Sequence, residues 1–296
     1  MIRIDVGSRE LKSEVEAFKP GWIGRAKIRT ANFITNENYE ESSSIWSEIK
    51  PVYMKVQAFK CAYCERALGG RLVGRGEHDL EHYRPKNNVK VWPNATAKRE
   101  RDLNYAFSTG GNLQTGYYWL AYNLGNYVTA CKSCNSALKS NYFPIAGTRP
   151  RGVRTIRQLN SSEKPFLIYP LGRSDVDPRT LITFLGAVAM PKPKRGAGKQ
   201  RAQVTIDFFR LNDRDELWTE RFNCIREMWS HYDRLNNSGN ARSRKDARQS
   251  IDELREPDSP HSSCANAFYD LCDTDTEEAY RVYQDARDYV RQIRPS

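Results

Sequence analysis

Apolar residues recur at helical spacing in three long stretches of the chain. In residues 40 to 59 they follow the period of an α-helix, and Pro51 within this stretch predicts a kink or a break. Residues 213 to 235 carry one apolar face, and residues 277 to 293 carry another. Both of these stretches are therefore predicted to be amphipathic helices.

Shorter apolar runs predict strands. Residues 79 to 83 follow a glycine-rich turn at residues 69 to 76, where glycines suit a hairpin or a bulge. Residues 165 to 170 and 181 to 185 are typical of short buried strands, and alternation in residues 2 to 6 predicts an edge strand. Strands and helices together indicate an α+β protein that is mostly helical.

Composition predicts loops between these elements. Residues 86 to 116 have few periodic apolar positions and read as an insertion loop. Residues 191 to 201 are basic, with interspersed Pro and Gly, and predict a flexible loop. Residues 236 to 263 predict a linker that encloses a short charged helix near residues 245 to 256, and residues 135 to 141 suit a short helix.

Four of the seven cysteines occur as two CxxC pairs. Two such pairs supply the four thiolates of a tetrahedral structural Zn²⁺ site, and the insertion between them does not prevent the thiolates from converging. The alternative is four unrelated buried cysteines. The predicted zinc ligands are Cys61, Cys64, Cys131 and Cys134. The other three, predicted to be ordinary partly buried thiols, are Cys224, Cys264 and Cys272.

An acidic residue and a histidine stand side by side between the two pairs. His82 is the candidate general base, because a neutral imidazole accepts a proton near pH 7 when its other ring nitrogen is held by a hydrogen bond. Glu81 offers an oxygen ligand to Mg²⁺ or Mn²⁺, and Asn135 offers an amide oxygen to the same ion. Asp79 is the fallback ligand, two residues earlier on the same strand face. This ion would be a second metal, because four thiolates fill the zinc site.

Asn126 precedes the apolar run that leads to Cys131. Its side-chain amide is predicted to join the two halves of the motif and to hold the loop after His82. The alternative is a plain turn residue after Gly125.

The chain carries 47 Lys and Arg against 36 Asp and Glu, a net charge of +11. Such a balance favours a polyanionic partner, because basic surfaces gain affinity by displacing phosphate counterions. Solvated surface charge is the alternative for each basic residue. The candidate nucleic-acid contacts are Arg84, Lys86, Lys139, Lys192, Lys194 and Arg195.

The chain has no apolar run near the roughly 18 residues of a membrane span, and its start lacks the apolar segment of a secretory signal. We therefore expect a cytoplasmic protein with reduced cysteines and no membrane partner.

The motifs resemble those of HNH (ββα-metal) endonucleases, in particular the PtuB-type nuclease subunits of Septu anti-phage systems and their relatives in retron operons. The resemblance covers about residues 1 to 235. The motifs that carry it are Cys61-x-x-Cys64-Glu65, Glu81-His-Tyr-Arg-Pro-Lys86, Tyr118-Trp-Leu-Ala-Tyr122, Asn126, Cys131-x-x-Cys134-Asn135 and Tyr142-Phe-Pro144.

This resemblance implies a ββα-metal core with a zinc-knuckle site, metal-dependent cutting of DNA, and an ABC/SMC-type ATPase partner (PtuA-like) in a larger hetero-oligomeric complex. It implies His82 as base, Glu81 and Asn135 as metal ligands, and Asn126 as the central asparagine. The chain would divide into an N-terminal helical segment, a nuclease module, an extension with the basic loop, and a linker with a C-terminal helix. The bounds of these segments are 1–58, 59–148, 149–235 and 236–296.

Two positions depart from the general HNH pattern, because Glu81 stands where many relatives have Asp and Asn135 where they have His. Metal preference and intrinsic activity are therefore open. Two other functions remain: a zinc-stapled module that holds DNA or a partner without cutting, and a stand-alone restriction-like nuclease. Phosphate contacts carry no base information, so no target sequence is predicted.

Overall fold

The computed structural model describes residues 1–70 and 74–293. The chain forms two compact units. The N-terminal unit comprises Ile4–Ala62 and Leu68–Val176. The C-terminal unit comprises Met1–Arg3, Tyr63–Ala67 and the chain from Asp177 onward. Helices predominate, and the strands in the described residues form two antiparallel pairs, so the predicted α+β class is confirmed. Within the described residues, none of the helices has the length and apolar character needed to cross a membrane.

The N-terminal unit begins with two helices, α1 (Ser8–Phe18) and α2 (Trp22–Thr35). Each buries one apolar face, as amphipathic helices of a globular core do. A 3₁₀ turn at Trp46–Ile49 then leads into α3 (Lys50–Val56). Pro51 lies in the first turn of α3, where a missing N–H costs no hydrogen bond, so the predicted break falls at the proline.

A two-stranded sheet and the helix after it form the middle of this unit. Strand β1 (His78–His82) pairs antiparallel with β2 (Tyr127–Cys131), with His78 opposite Cys131 and His82 opposite Tyr127. A helix with π-type hydrogen bonding, Ser133–Lys139, follows β2 directly, and we call it the 133–139 helix. Helix α3 packs against both strands. The remaining helices of the unit are α4 (Gly74–Glu77), α5 (Ala95–Arg101) and α6 (Ile156–Glu163).

The C-terminal unit contains the hairpin of β3 (Ile182–Leu185) and β4 (Val188–Pro191), followed by five helices. The helices are α7 (Gly196–Phe208), α8 (Asp215–Asn237), α9 (Ala241–Arg255), α10 (Ser262–Thr274) and α11 (Thr276–Ile293). The long α8 lies at the centre, because α9, α10 and α11 all pack against it. Its buried face includes Leu217, Phe222 and Met228.

The strong periodic signals are confirmed. The strand predicted at residues 79 to 83 is β1, and the helices predicted at 213 to 235 and 277 to 293 are α8 and α11. Two predicted strands were wrong. Residues 165 to 170 and 2 to 6 each make only an isolated bridge, Pro165 with Ile145 and Ile4 with Leu171.

Two predicted loops contain helices that the sequence pattern did not indicate. The insertion at residues 86 to 116 includes α5. The charged helix predicted inside the linker at 236 to 263 is confirmed as α9, which begins at Ala241. The basic segment at 191 to 201 is not a loop throughout, because α7 begins at Gly196. In the predicted glycine-rich turn at 69 to 76, residues 71–73 lie outside the described residues.

Candidate metal centre and catalytic site

The two CxxC pairs meet in space. The Sγ atoms of Cys61, Cys64, Cys131 and Cys134 all lie within 4.8 Å of one another, and all four residues are buried free thiols. Sulfur atoms about 2.3 Å from a tetrahedral zinc would lie about 3.8 Å apart, so a small adjustment of the cluster would accommodate the ion. The predicted convergence is confirmed, and this cysteine cluster can hold a structural metal such as zinc.

A buried glutamine holds the first pair beside β2. The Gln57 side chain donates from Nε2 to the Lys60 carbonyl at 3.0 Å and to the Thr129 carbonyl at 2.9 Å, while its Oε1 accepts from Thr129 N at 2.7 Å. Ala62 N also donates to the Thr129 carbonyl at 3.0 Å. These bonds fix the loop that carries Cys61 against the strand that ends at Cys131.

One face of β1 packs along the 133–139 helix. The Asp79 carboxylate accepts from Asn135 Nδ2 at 3.0 Å and from Ser136 Oγ at 3.2 Å. Two residues along the strand, Glu81 Oε1 lies 3.0 Å from the Nζ atom of Lys139. Alternate strand residues share a face, and so do helix residues four apart, so these two pairs follow from the two periodicities. Asp79 and Asn135 are therefore in direct contact, and Glu81 lies two residues along the same strand, paired with Lys139.

Lys139 and Glu81 form a buried ion pair. Burial raises the pKa of Glu81 above its ordinary value, and the charge of Lys139 opposes that rise. Burial likewise lowers the pKa of Lys139, and Glu81 opposes that change. Because the Lys139 ammonium group is enclosed and lies against this carboxylate, it is not available to a phosphate at the surface. This corrects the expectation of a nucleic-acid contact at Lys139.

His82 is held by its Nε2 atom, which lies 3.0 Å from the Ala121 carbonyl oxygen. A carbonyl accepts only, so this nitrogen carries the proton and Nδ1 is the one that can accept another. Burial lowers the pKa of His82 well below its ordinary value, and the positive charges of Lys86 and Lys139 lower it further. The ring is therefore neutral at pH 7 and oriented in the way a general base requires.

An aromatic wall lies beside His82. The Trp46 ring meets the imidazole edge-on, with centroids 5.0 Å apart, and Tyr127 meets it at the same distance. Lys86 Nζ lies 4.5 Å from the Trp46 ring centroid and 5.1 Å from that of Tyr39. Burial lowers the pKa of Lys86, while Glu81 and Glu41 oppose that shift. The wall thus positions both the imidazole and a half-buried cation.

Asn126 is fully buried and bonds across the motif. Its Oδ1 accepts from Arg84 N at 2.8 Å, and its Nδ2 donates to the carbonyl oxygens of Arg84 at 3.0 Å and Leu120 at 3.2 Å. The backbone carbonyl of Asn126 also accepts from Tyr83 N at 2.8 Å. These are the contacts expected of a side chain that holds the loop after His82.

Replacing Asn126 with alanine is expected to lower the free energy of unfolding by about 3 kcal/mol, because three buried backbone groups lose their partner. Thermal and denaturant unfolding would measure the loss. Asn123→Ala is the control, since Asn123 is exposed and only caps a short turn through Gly125 N, a contact worth about 1 kcal/mol. If both variants lost the same free energy of unfolding, Asn126 would not be the residue that holds the loop after His82.

Arg84 is part of the core. Its Nε donates to Glu163 at 2.9 Å and a terminal nitrogen donates to Asn160 at 2.9 Å, while Tyr117 bonds to the same glutamate. Arg84 is only 1% exposed. The positive charge of Arg84 is therefore paired with Glu163 inside the protein. This corrects the expectation that Arg84 contacts nucleic acid.

The other basic candidates belong to a different unit of the chain. Lys192 and Lys194 are exposed on the segment between β4 and α7, and exposed Arg195 is the residue before α7. All three belong to the C-terminal unit, whereas His82 and Glu81 belong to the N-terminal unit. The three cysteines outside the cluster, Cys224, Cys264 and Cys272, are buried thiols.

Sequence reasoning missed three contributors: Gln57, Trp46 as a neighbour of His82, and Glu163 as the partner of Arg84. A polar residue in an otherwise apolar helical stretch was the available signal for Gln57. For Trp46 and Glu163 the sequence offered no such signal, because neither lies in a short motif that indicates a site.

No protein-family model, no curated protein and no solved structure matches this chain. Among the described residues, the cysteine cluster is the one group of three or more His, Cys, Asp or Glu side chains placed to hold a metal ion.

Proposed function

We propose that this protein is a metal-dependent HNH-type endonuclease that hydrolyses phosphodiester bonds of DNA. The observation that supports this most is His82, a neutral imidazole held by a backbone carbonyl next to a strand face of carboxylate and amide groups. In this proposal β1, β2 and the 133–139 helix form the ββα-metal core, and the cysteine cluster staples it with zinc.

His82 acts as the general base. Its Nδ1 accepts a proton from water as the water oxygen attacks phosphorus and the bond from phosphorus to the leaving oxygen breaks. The bond from Nε2 to the Ala121 carbonyl fixes the tautomer, and Trp46 and Tyr127 fix the ring plane. Asn126 holds the loop that follows, so the imidazole keeps its place during the reaction.

The face formed by Asp79, Glu81 and Asn135 offers carboxylate and amide oxygens, the donors that a hard divalent cation prefers. A bound ion would share these carboxylates with the ammonium groups of Lys132 and Lys139. These three residues would hold Mg²⁺ or Mn²⁺. When bound, such an ion neutralises the charge that develops on the phosphate. Asn135 Nδ2 donates to Asp79, so its Oδ1 is the atom turned to this role.

Lys86 is the basic residue of the motif that we assign to a substrate phosphate. It is half-buried, and Trp46 and Tyr39 fix its ammonium group through cation–π contacts. Arg84 and Lys139 instead support the site from the interior.

The biological setting rests on the motif resemblance. It favours a cytoplasmic nuclease of an anti-phage system that works with an ABC/SMC-type ATPase. The second candidate is a zinc-stapled binding module without catalysis. The pairing of His82 with Glu81 favours the nuclease, since a binding module needs neither a held neutral base nor a neighbouring carboxylate.

Plasmid cleavage with and without Mg²⁺ or Mn²⁺ tests the proposal. Wild-type protein is expected to nick or cut only when a divalent ion is present, and Glu81→Gln is expected to lower the rate at least about 100-fold. The control is Glu100→Gln, because Glu100 is exposed on α5 in the same unit, where its carboxylate pairs with exposed Arg99. Zinc content and melting temperature are measured for all three proteins.

Two outcomes would contradict the proposal. Wild-type protein that binds DNA but cuts with neither ion nor candidate ATPase would favour the binding module. Equal rates for Glu81→Gln and wild type would remove Glu81 from the site.

A further inference from the structure

The C-terminal unit carries a cavity of ≈560 Å³ formed by α8, α9 and α10. It is lined by polar and aromatic side chains of these three helices. The lining residues are Tyr232, Leu235, Asn236, Arg244, Lys245, Arg248, Tyr269 and Asp273. We call this the basic cavity, because three cations face one carboxylate.

The three cations of the basic cavity are unpaired. In residues 1–70 and 74–293, no ion pair joins Arg244, Lys245 or Arg248 to a carboxylate. The arginines of α11 behave differently. Arg281, Arg287 and Arg291 each lie within 3.7 Å of an acidic side chain. Three cations that share the cavity with the single carboxylate of Asp273 leave an excess of positive charge, which attracts an external anion.

The cavity is also held in shape. Arg244 donates to the Ser238 carbonyl at 2.7 Å, and the Tyr232 hydroxyl donates to the Cys272 carbonyl at 2.8 Å. Ala247 and Ile251 of α9 are buried next to these cations and pack the helix against its neighbours. The cations therefore project from an ordered helix and not from a loose segment.

We propose that the basic cavity binds the phosphodiester backbone of a nucleic-acid strand, as a contact separate from the residues around His82. Guanidinium groups bind phosphate oxygens in bidentate geometry. The Arg255 guanidinium lies 4.1 Å from the Tyr269 ring centroid, which adds a cation beside the aromatic lining of the cavity. The ring of Tyr269 lies 6.1 Å from that of Tyr232 at the cavity, so both an ionic and an aromatic element are present. This inference concerns binding and holds whether or not the protein cuts DNA.

The experiment is a salt titration of binding to labelled oligonucleotides, followed by fluorescence anisotropy. The full-length, zinc-loaded protein is used without Mg²⁺ or Mn²⁺, with single strands and duplexes of about 20 nucleotides, longer than the roughly 4–16 nucleotides one site covers. Arg244→Gln/Lys245→Gln/Arg248→Gln is compared with Arg281→Gln/Arg287→Gln/Arg291→Gln. The two triple variants lose the same charge from the same unit, but only the first removes unpaired cations.

The cavity variant is expected to bind at least about tenfold more weakly, and the slope of log K against log salt is expected to fall by about 2 to 3. The α11 variant is expected to change affinity less than about twofold. Lys245→Glu alone, which breaks no hydrogen bond of the described residues, is expected to show a smaller loss in the same direction if the triple variant does not fold.

Equal losses in the two triple variants would overturn the proposal, since bulk charge would then explain them. Unchanged binding in Lys245→Glu and the cavity variant would also overturn it. Polyglutamate that competes as well as the oligonucleotide at equal charge would assign the cavity to an acidic protein segment instead. The assay contains no divalent ion and measures binding alone, so its outcome is separate from that of the cleavage test of the proposed nuclease.

Discussion

Replacing His82 with alanine is expected to lower plasmid cleavage about 1,000-fold and to leave the bound zinc in place. General-base catalysis is worth about 10² to 10⁴ in rate, and His82 is the neutral imidazole of the motif with a fixed tautomer. Zinc should remain because the cysteine cluster does not include this side chain. Cleavage of supercoiled plasmid and metal analysis of the same preparations measure the two results.

The alanine variant also removes a ring that packs against Trp46 and Tyr127, so a second variant is needed. His82→Asn fills more of that space and still lacks a basic ring nitrogen, and it should be as inactive as His82→Ala. His231→Ala is the control, because His231 lies on α8 in the C-terminal unit, with its Nε2 3.9 Å from Glu227 Oε1. If a variant at position 82 folds, keeps zinc and still cuts at the wild-type rate, His82 is not the general base.

The parts of this site that could be predicted are those set by local periodicity. Asp79 and Glu81 share a strand face, and Asn135 and Lys139 share a helix face, so their pairing follows from residue spacing alone. The cysteine pairs could also be predicted, because four soft ligands with this spacing have few other arrangements.

The parts that could not be predicted depend on contacts between distant residues. Arg84 reads as a surface cation in its motif, yet its partner Glu163 follows 79 residues later. Burying Arg84 is acceptable only because that carboxylate and Asn160 are there, and no local pattern indicates them. The clamp from Gln57 to Thr129 spans 72 residues and escaped prediction for the same reason.

The basic segment before α7 shows a second reason why prediction from sequence fails. Pro and Gly suggested a loop, but Gly196 has φ +75° and stands at the first residue of a helix. Glycine here serves to start the helix after a sharp turn, a use that composition does not distinguish from a loop. Lys192, Lys194 and Arg195 precede that helix and remain exposed, as the sequence indicated.

A large loss of bound zinc and of stability is expected when the cysteine cluster is disrupted. Replacing Cys131 with serine should lower bound zinc from about one ion per chain to nearly none and should lower the free energy of unfolding by more than about 4 kcal/mol. The reason is that a zinc ion in the cluster would join two CxxC pairs that are distant in sequence, and structural zinc binding contributes about 10 to 16 kcal/mol in small zinc domains. Metal analysis and thermal unfolding measure both results.

Cys272→Ala is the matched control, because Cys272 is a fully buried thiol outside the cluster. It should keep its zinc and lose only about 1 kcal/mol, the ordinary cost of a small change in a core. Prolonged treatment of wild-type protein with a chelator should reproduce the Cys131→Ser melting temperature, since both remove the same ion. If Cys131→Ser kept its zinc and its stability, the four thiols would be ordinary core residues, and the fold around His82 would need no metal to hold it.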